Sequence, residues 1–113
     1  MHEQNWTDES LSKVRQFAEG LFRERLEAVI LFGSYARGDY DAESDIDIMI
    51  LVDMDALALA PFKYQFARFG TDLDLKYGVF HSFVLQDKAT FDYWKDTIPF
   101  YKNVVQGGVP VNV

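Results

Sequence analysis

The chain has 113 residues, 49% of them hydrophobic and 16% aromatic, a content that suits one packed domain and excludes a disordered polypeptide. It contains no cysteine, which removes disulfides, thiolate metal sites and cysteine nucleophiles and points to a reducing compartment. The formal net charge of −7, from 11 basic and 18 acidic side chains, argues against nucleic-acid binding, because that affinity comes largely from neutralising phosphates with Lys and Arg.

The opening Met1–Trp6 lacks the basic and apolar regions of a signal peptide. The longest apolar runs, Ala28–Gly33 and Ile48–Val52, fall far short of the ~20 residues of a membrane span. The expectation is a single soluble, cytoplasmic domain over residues 1–113 with no membrane association. Acidic residues recur from Asp39 to Asp55 and again at Asp72 and Asp74. Such a surface accommodates a basic protein partner or a metal–nucleotide complex, although solubility alone also accounts for it.

In chain order, the first element is an amphipathic helix from about Thr7 to Arg25. Thr7 is its expected N-cap, and Leu11, Val14, Phe17, Ala18, Leu21 and Phe22 form its apolar face. Ala28–Phe32 is a short apolar run ended by Gly33 and reads as a strand buried on both faces. A polar, turn-prone segment from Ser34 to Ser44 leads to Ile46–Val52, a second buried strand with aspartates at its entrance. Pro61 fits the first turn of a helix in which Phe62, Phe66, Phe69, Leu73 and Tyr77 keep helical phase, with Gly78 as its stop and Gly70 as a weak point. Val79–Leu85 reads as a third strand, and Asp87 as the cap of a short helix reaching Lys95. A further helical stretch from Pro99 to Gln106 is broken by Gly107-Gly108, and Val109, Val111 and Val113 alternate as a terminal edge strand. The fold class is therefore α/β, a small mixed sheet with helices packed against it.

The chemistry is concentrated between the first two strands. Asp45 and Asp47 are two apart at a strand entrance, so both carboxylates leave the same face. Such a pair suits Mg²⁺, which takes one or two carboxylates together with substrate phosphates. Gly33-Ser34, at the end of the preceding strand, offers close backbone approach, a hydroxyl and free N–H groups to a phosphate, and Arg37 a charge-assisted contact. Alone, an Asp-x-Asp is usually a solvated strand end and a Gly-Ser usually a turn. Between two buried strands their combination is far more specific.

The segment Gly33-Ser34-Tyr35-Ala36-Arg37-Gly38-Asp39, running on to Ser44-Asp45-Ile46-Asp47-Ile48, closely resembles the minimal nucleotidyltransferases of the DNA polymerase beta superfamily. Their signature is Gly-Ser, ten residues, then Asp-x-Asp, and it fits without insertion or deletion. The likeness continues more loosely over most of the chain, including Pro99–Val104. It implies a polymerase beta-like fold and Mg²⁺-dependent nucleotidyl transfer from a nucleoside triphosphate, commonly ATP. In this reading Asp45 and Asp47 are the catalytic metal ligands, and Gly33, Ser34 and Arg37 bind nucleotide. Many members resemble the antitoxin of a two-gene toxin–antitoxin module. Their partner is a HEPN-type toxin, which the antitoxin adenylylates on a tyrosine, implying a hetero-oligomer.

One position departs from that pattern. The superfamily supplies a third carboxylate from a later strand, and alignment on Gly78 puts Ser82 there, a residue with neither charge for a metal nor basicity near neutral pH. The second Asp-x-Asp, Asp72 and Asp74, keeps helical phase and reads as a solvated helix face. His81 should point away from Ser82 and reads as structural rather than as a base. Tyr35 and Tyr40 flank the phosphate loop, placed either to stack on a base or to pack the loop, and Lys102 reads as solvated. Tyr93, Trp94, Phe100 and Tyr101 read as C-terminal core, with surplus aromatics there available to meet a partner. The leading expectation is an antitoxin that transfers AMP from ATP to a partner. The rivals are an inert module that neutralises a partner by binding alone, and a nucleotidyltransferase subunit acting on a small metabolite.

Overall fold

Apart from Asp47, Ile46–Val52 is uninterrupted apolar sequence, and it takes the place in the sheet that hides a strand on both sides. The computed structural model describes residues 2–112, with side chains from Trp6 onward. Its sheet contains β1 (Leu26–Phe32), β2 (Ile46–Val52), β3 (His81–Asp87) and β4 (Val109–Pro110), in the order β3-β2-β1-β4. β1 is antiparallel to both β2 and β4, and β2 is parallel to β3, so the sheet is mixed as expected. A parallel pair requires a long crossover, here formed by two helices, α3 (Ala56–Leu59) and α4 (Phe62–Tyr77).

On one face, Val29, Leu31, Ile46, Ile48, Ile50 and Val52 pack with α1 (His2–Phe22) and α4. Aromatic rings join those two helices: Phe17 stacks on Phe69 at 4.1 Å between centroids and meets Phe66 edge-on at 5.0 Å. Each such pair contributes about 0.5–1.5 kcal/mol beyond burial. On the other face, Met49 and Leu51 meet Phe91 of α5 (Lys88–Trp94) and Val104 of α6 (Pro99–Gly107). These two short helices cover less of the sheet. Ala28, Ile30 and Phe32 are accordingly only half-buried, so β1 is not hidden on both faces as its apolar run suggested.

Four further boundaries differ from the sequence reading. Thr7 is buried inside α1 rather than capping it, because the helix begins at His2. At the other end α1 stops at Phe22; Arg23 adopts a left-handed backbone (φ 53°) and opens a 3₁₀ turn through Arg25. β3 starts at His81, two residues late, because the chain needs Val79 and Phe80 to turn back after Gly78 caps α4. At the C-terminal edge, Val109 is exposed while Val111 is buried, since β4 pairs over only two residues before leaving the ladder; Val113 lies outside the described residues. Asp87 caps α5 as expected, accepting a hydrogen bond from the Thr90 N–H at 2.9 Å.

Gly70 has a packing reason. A Cβ there would lie 2.9 Å from the Phe83 ring and 3.6 Å from the His81 carbonyl oxygen, so the missing side chain lets α4 sit close on β3. Gly70→Ala should therefore lose about 1–3 kcal/mol of unfolding free energy, despite a helix-propensity gain of about 1 kcal/mol. Chemical denaturation measures this, and a stabilised variant would show that the ring yields freely.

Candidate active site

The sheet end where β1 finishes and β2 and β3 begin is built by register. Phe32 of β1 lies opposite Asp47, and Asp47 lies beside Ser82 of β3. Alternate residues of a strand share a face. Asp47 therefore projects on the side of Met49 and Leu51, the face shared with α5 and α6.

After Phe32 the chain turns sharply into a five-residue helix, α2 (Gly33–Arg37). Gly33 has φ +75°, a left-handed conformation that favours glycine, and a Cβ there would collide with the Asp47 Oδ2. Backbone and neighbour thus both demand glycine. Ser34 follows half-buried, and its carbonyl accepts from the N–H groups of Gly38 and Asp39 at 2.9 and 3.2 Å, closing α2. The rest of the ten-residue spacer folds on Asp41. Its carboxylate accepts from the Glu43 N–H at 2.9 Å, while its own N–H donates to Ser44 Oγ at 3.0 Å. This compact turn delivers Asp45, exposed, just before β2.

The two aspartates sense each other. Burial, repulsion from Asp45 and attraction to Arg37 act together on Asp47, and the first two win, raising its carboxyl above the ordinary value of 3.8. Both offer oxygen donors to a hard divalent cation, which would relieve their repulsion. Arg37 is engaged elsewhere, donating from Nε to Asp39 Oδ2 at 3.2 Å. Both side chains are mostly exposed, so that pair is weak and readily exchanged.

Ser82 is exposed on the same face as Asp47, in the place the alignment gave it. Among the described residues no cluster of three or more His, Asp or Glu side chains surrounds a common point. Asp72 is exposed on α4, as expected of a solvated helix face, but Asp74 is not. Its Oδ1 accepts from the His81 backbone N–H at 2.7 Å and lies 3.0 Å from His81 Nδ1. The other ring nitrogen, Nε2, is hydrogen-bonded to Ser10 Oγ on α1. The Ser10–His81–Asp74 chain has the residue types of a nucleophilic triad. Ser10, however, is completely buried, so the chain pins α1, α4 and the start of β3 together. Sequence spacing could not reveal it, since Ser10 and His81 are 71 positions apart.

Sequence reasoning also missed a cleft of about 500 Å³ between α2 and α6, lined by Phe32, Gly33, Arg37, Phe100, Asn103 and Gln106 among others. The available signal was the spacing of Phe100, Asn103 and Gly107, which places them on one helix side. Tyr35 and Tyr40 instead stack on each other at 4.1 Å and 7°.

Comparison with known proteins identifies the family and the fold. The nucleotidyltransferase domain family matches residues 11–106. Two candidate protein adenylyltransferases of Methanocaldococcus jannaschii are similar. One is 40% identical over 84% of this chain and 90% of its own length; the other is 34% identical over 82% and 92%. Among solved structures, a nucleotidyltransferase candidate from Sulfolobus solfataricus has a TM-score of 0.55 at 23% identity, covering 94% of this chain and 76% of that one. A toxin–antitoxin crystal structure with AMP-PNP has a TM-score of 0.53 at 23% identity, covering 90% and 72%. The latter two establish likeness of fold.

Because the folded carboxyl of Asp47 titrates above 3.8, its ionised form is disfavoured by folding, and that stability is lost as pH rises through the folded value. Asp47→Asn should raise the melting temperature at pH 7 without divalent cation, and the gain should shrink toward pH 4 as the wild-type carboxyl protonates. Calorimetric melts across that range test this, and an unchanged or lowered melting temperature at pH 7 would contradict it.

Proposed function

The chain belongs to the nucleotidyltransferase domain family, and on that premise we propose that it transfers AMP from Mg²⁺-bound ATP to a hydroxyl of a partner protein. The partner in this proposal is a HEPN-type toxin, with the chain as its antitoxin in a hetero-oligomer. The observation that carries the reading is the seating of the Asp47 carboxylate against Gly33, within electrostatic reach of both Asp45 and Arg37. Phosphate-binding backbone and metal-binding carboxylates then meet at one point. The names of the two Methanocaldococcus relatives support protein adenylylation, and the toxin–antitoxin structure with AMP-PNP supports the pairing.

In the proposed reaction the acceptor oxygen bonds to the α-phosphorus, the bond to pyrophosphate breaks, and the acceptor proton passes to a base. Mg²⁺, held by Asp45 and Asp47, would neutralise the triphosphate and polarise its reacting oxygens. Gly33 and Ser34 present N–H and hydroxyl donors to the phosphates, and Arg37 exchanges Asp39 for a phosphate oxygen. On the acceptor side this chain offers Ser82, which is no base at neutral pH, so the partner contributes that group. Along residues 56–112 every helix and strand serves the one sheet, and the acceptor in this proposal is carried by the partner.

Ser82 is also the observation favouring the second reading, an inert module that neutralises a partner by covering it. Incubation with α-labelled ATP, Mg²⁺ and the product of the neighbouring gene decides. Label should appear on the partner and fall at least a hundredfold with Asp47→Ala, a loss of about 2.7 kcal/mol of transition-state stabilisation. Tight complex formation without label would establish the inert module, and label on a small metabolite would refute transfer to protein.

A further inference from the structure

The cleft between α2 and α6 is an unassigned cavity joined directly to the glycine turn. We propose that it holds the base of the nucleoside triphosphate and that Asn103 and Gln106 select adenine. The proposal rests on the reading of the chain as a nucleotide-binding transferase and adds what that reading leaves open, the origin of base preference.

Three observations place the base here. First, Gly33 and Arg37 belong to the wall of the cleft, so a triphosphate held over the turn has its nucleoside end within reach. The volume of about 500 Å³ lies in the ordinary range for small-molecule sites. Second, the cleft shares the sheet face of Asp47. Across the sheet end run α6, Phe32, Asp47 and Ser82, in that order. A nucleotide with its base by α6 leaves the Ser82 flank clear for an incoming acceptor. The rival aromatic pair, Tyr35 and Tyr40, is closed upon itself at 4.1 Å, and Tyr35 packs with the core on the α1 face.

Third, the cleft carries suitable chemistry. Phe100 is 41% exposed and braced edge-on by Phe32 at 5.6 Å, leaving an apolar surface for a flat ring. Asn103 and Gln106, three apart on α6, are neighbours on the helix surface. Both are exposed, and neither amide is committed to a hydrogen bond within the described residues. A carboxamide offers an acceptor beside a donor, which matches the N6 amino group and N7 of adenine. Guanine presents two acceptors at the corresponding edge and leaves the amide oxygen opposed.

The test is titration calorimetry of the full chain with ATP, GTP and inorganic tripolyphosphate, each with Mg²⁺, for wild type and for the double variant Asn103→Ala/Gln106→Ala. Because both side chains are exposed, the variant should melt with wild type. Wild type should bind ATP about tenfold or more tighter than GTP. The double variant should lose that preference through weaker ATP binding, with GTP and tripolyphosphate affinities unchanged within about twofold. Selectivity that survives in the double variant overturns the proposal. So does a wild type that binds tripolyphosphate as tightly as ATP, which would leave triphosphate binding at the turn intact. Wild type that binds none of the three would overturn the nucleotide-binding reading itself, and this inference with it.

Discussion

The carboxylate of Asp47 occupies the volume that any side chain at position 33 would fill. That steric exclusion ties together features that would otherwise be independent. It requires the β1–β2 register that sets Phe32 against Asp47, and it keeps the backbone bare where the chain leaves β1. It also partly desolvates an acid already repelled by Asp45, leaving an electrostatic debt that a cation is suited to settle. A larger residue at Gly33 would displace both the turn and the carboxylate.

Much of this was legible in the sequence, because it is local. Apolar runs of strand length, the helical phase of Phe62 to Tyr77, glycine stops and the fixed spacing from Gly33-Ser34 to Asp45-x-Asp47 depend on near neighbours only. Ser82 was placed near Asp47 by the resemblance, aligned on Gly78, and the parallel β2–β3 register sets the two side by side. What stayed hidden was set by distant partners. Asp74 has the helical phase of a solvated residue, yet the start of β3 returns beside it and gives it the His81 N–H to accept. Gly70 looks like a flaw in α4 until Phe83 is packed on it. Neither fact can be derived from periodicity.

The two faces of the sheet divide their tasks. The α1–α4 face holds the larger aromatic core and the buried Ser10–His81–Asp74 chain, which fixes the beginning of β3 from behind. The α5–α6 face is thinly covered, and it is there that Asp47, Ser82 and the cleft remain accessible. His81 and Ser82 are adjacent in sequence but serve opposite faces, one anchoring the strand and the other exposed beside Asp47. Rigidity behind and openness in front let a small domain hold a precise constellation without enclosing it.

The short β4 strand bears on how the molecule assembles. Val111 donates its N–H to the Val29 carbonyl at 2.8 Å, and its own carbonyl receives Arg15, 96 positions earlier in the chain. Closure over so long a stretch carries an entropic cost before it returns any contact, so such pairings form late. The hairpin of β1 and β2 joins nearby residues, whereas the α6 flank, joined to β4 through Gly108, is held to β1 by a pairing distant in sequence. The acidic half of the site thus rests on contacts between nearby residues, whereas the wall beside it rests on a distant one, which also covers the Ile30 edge of β1.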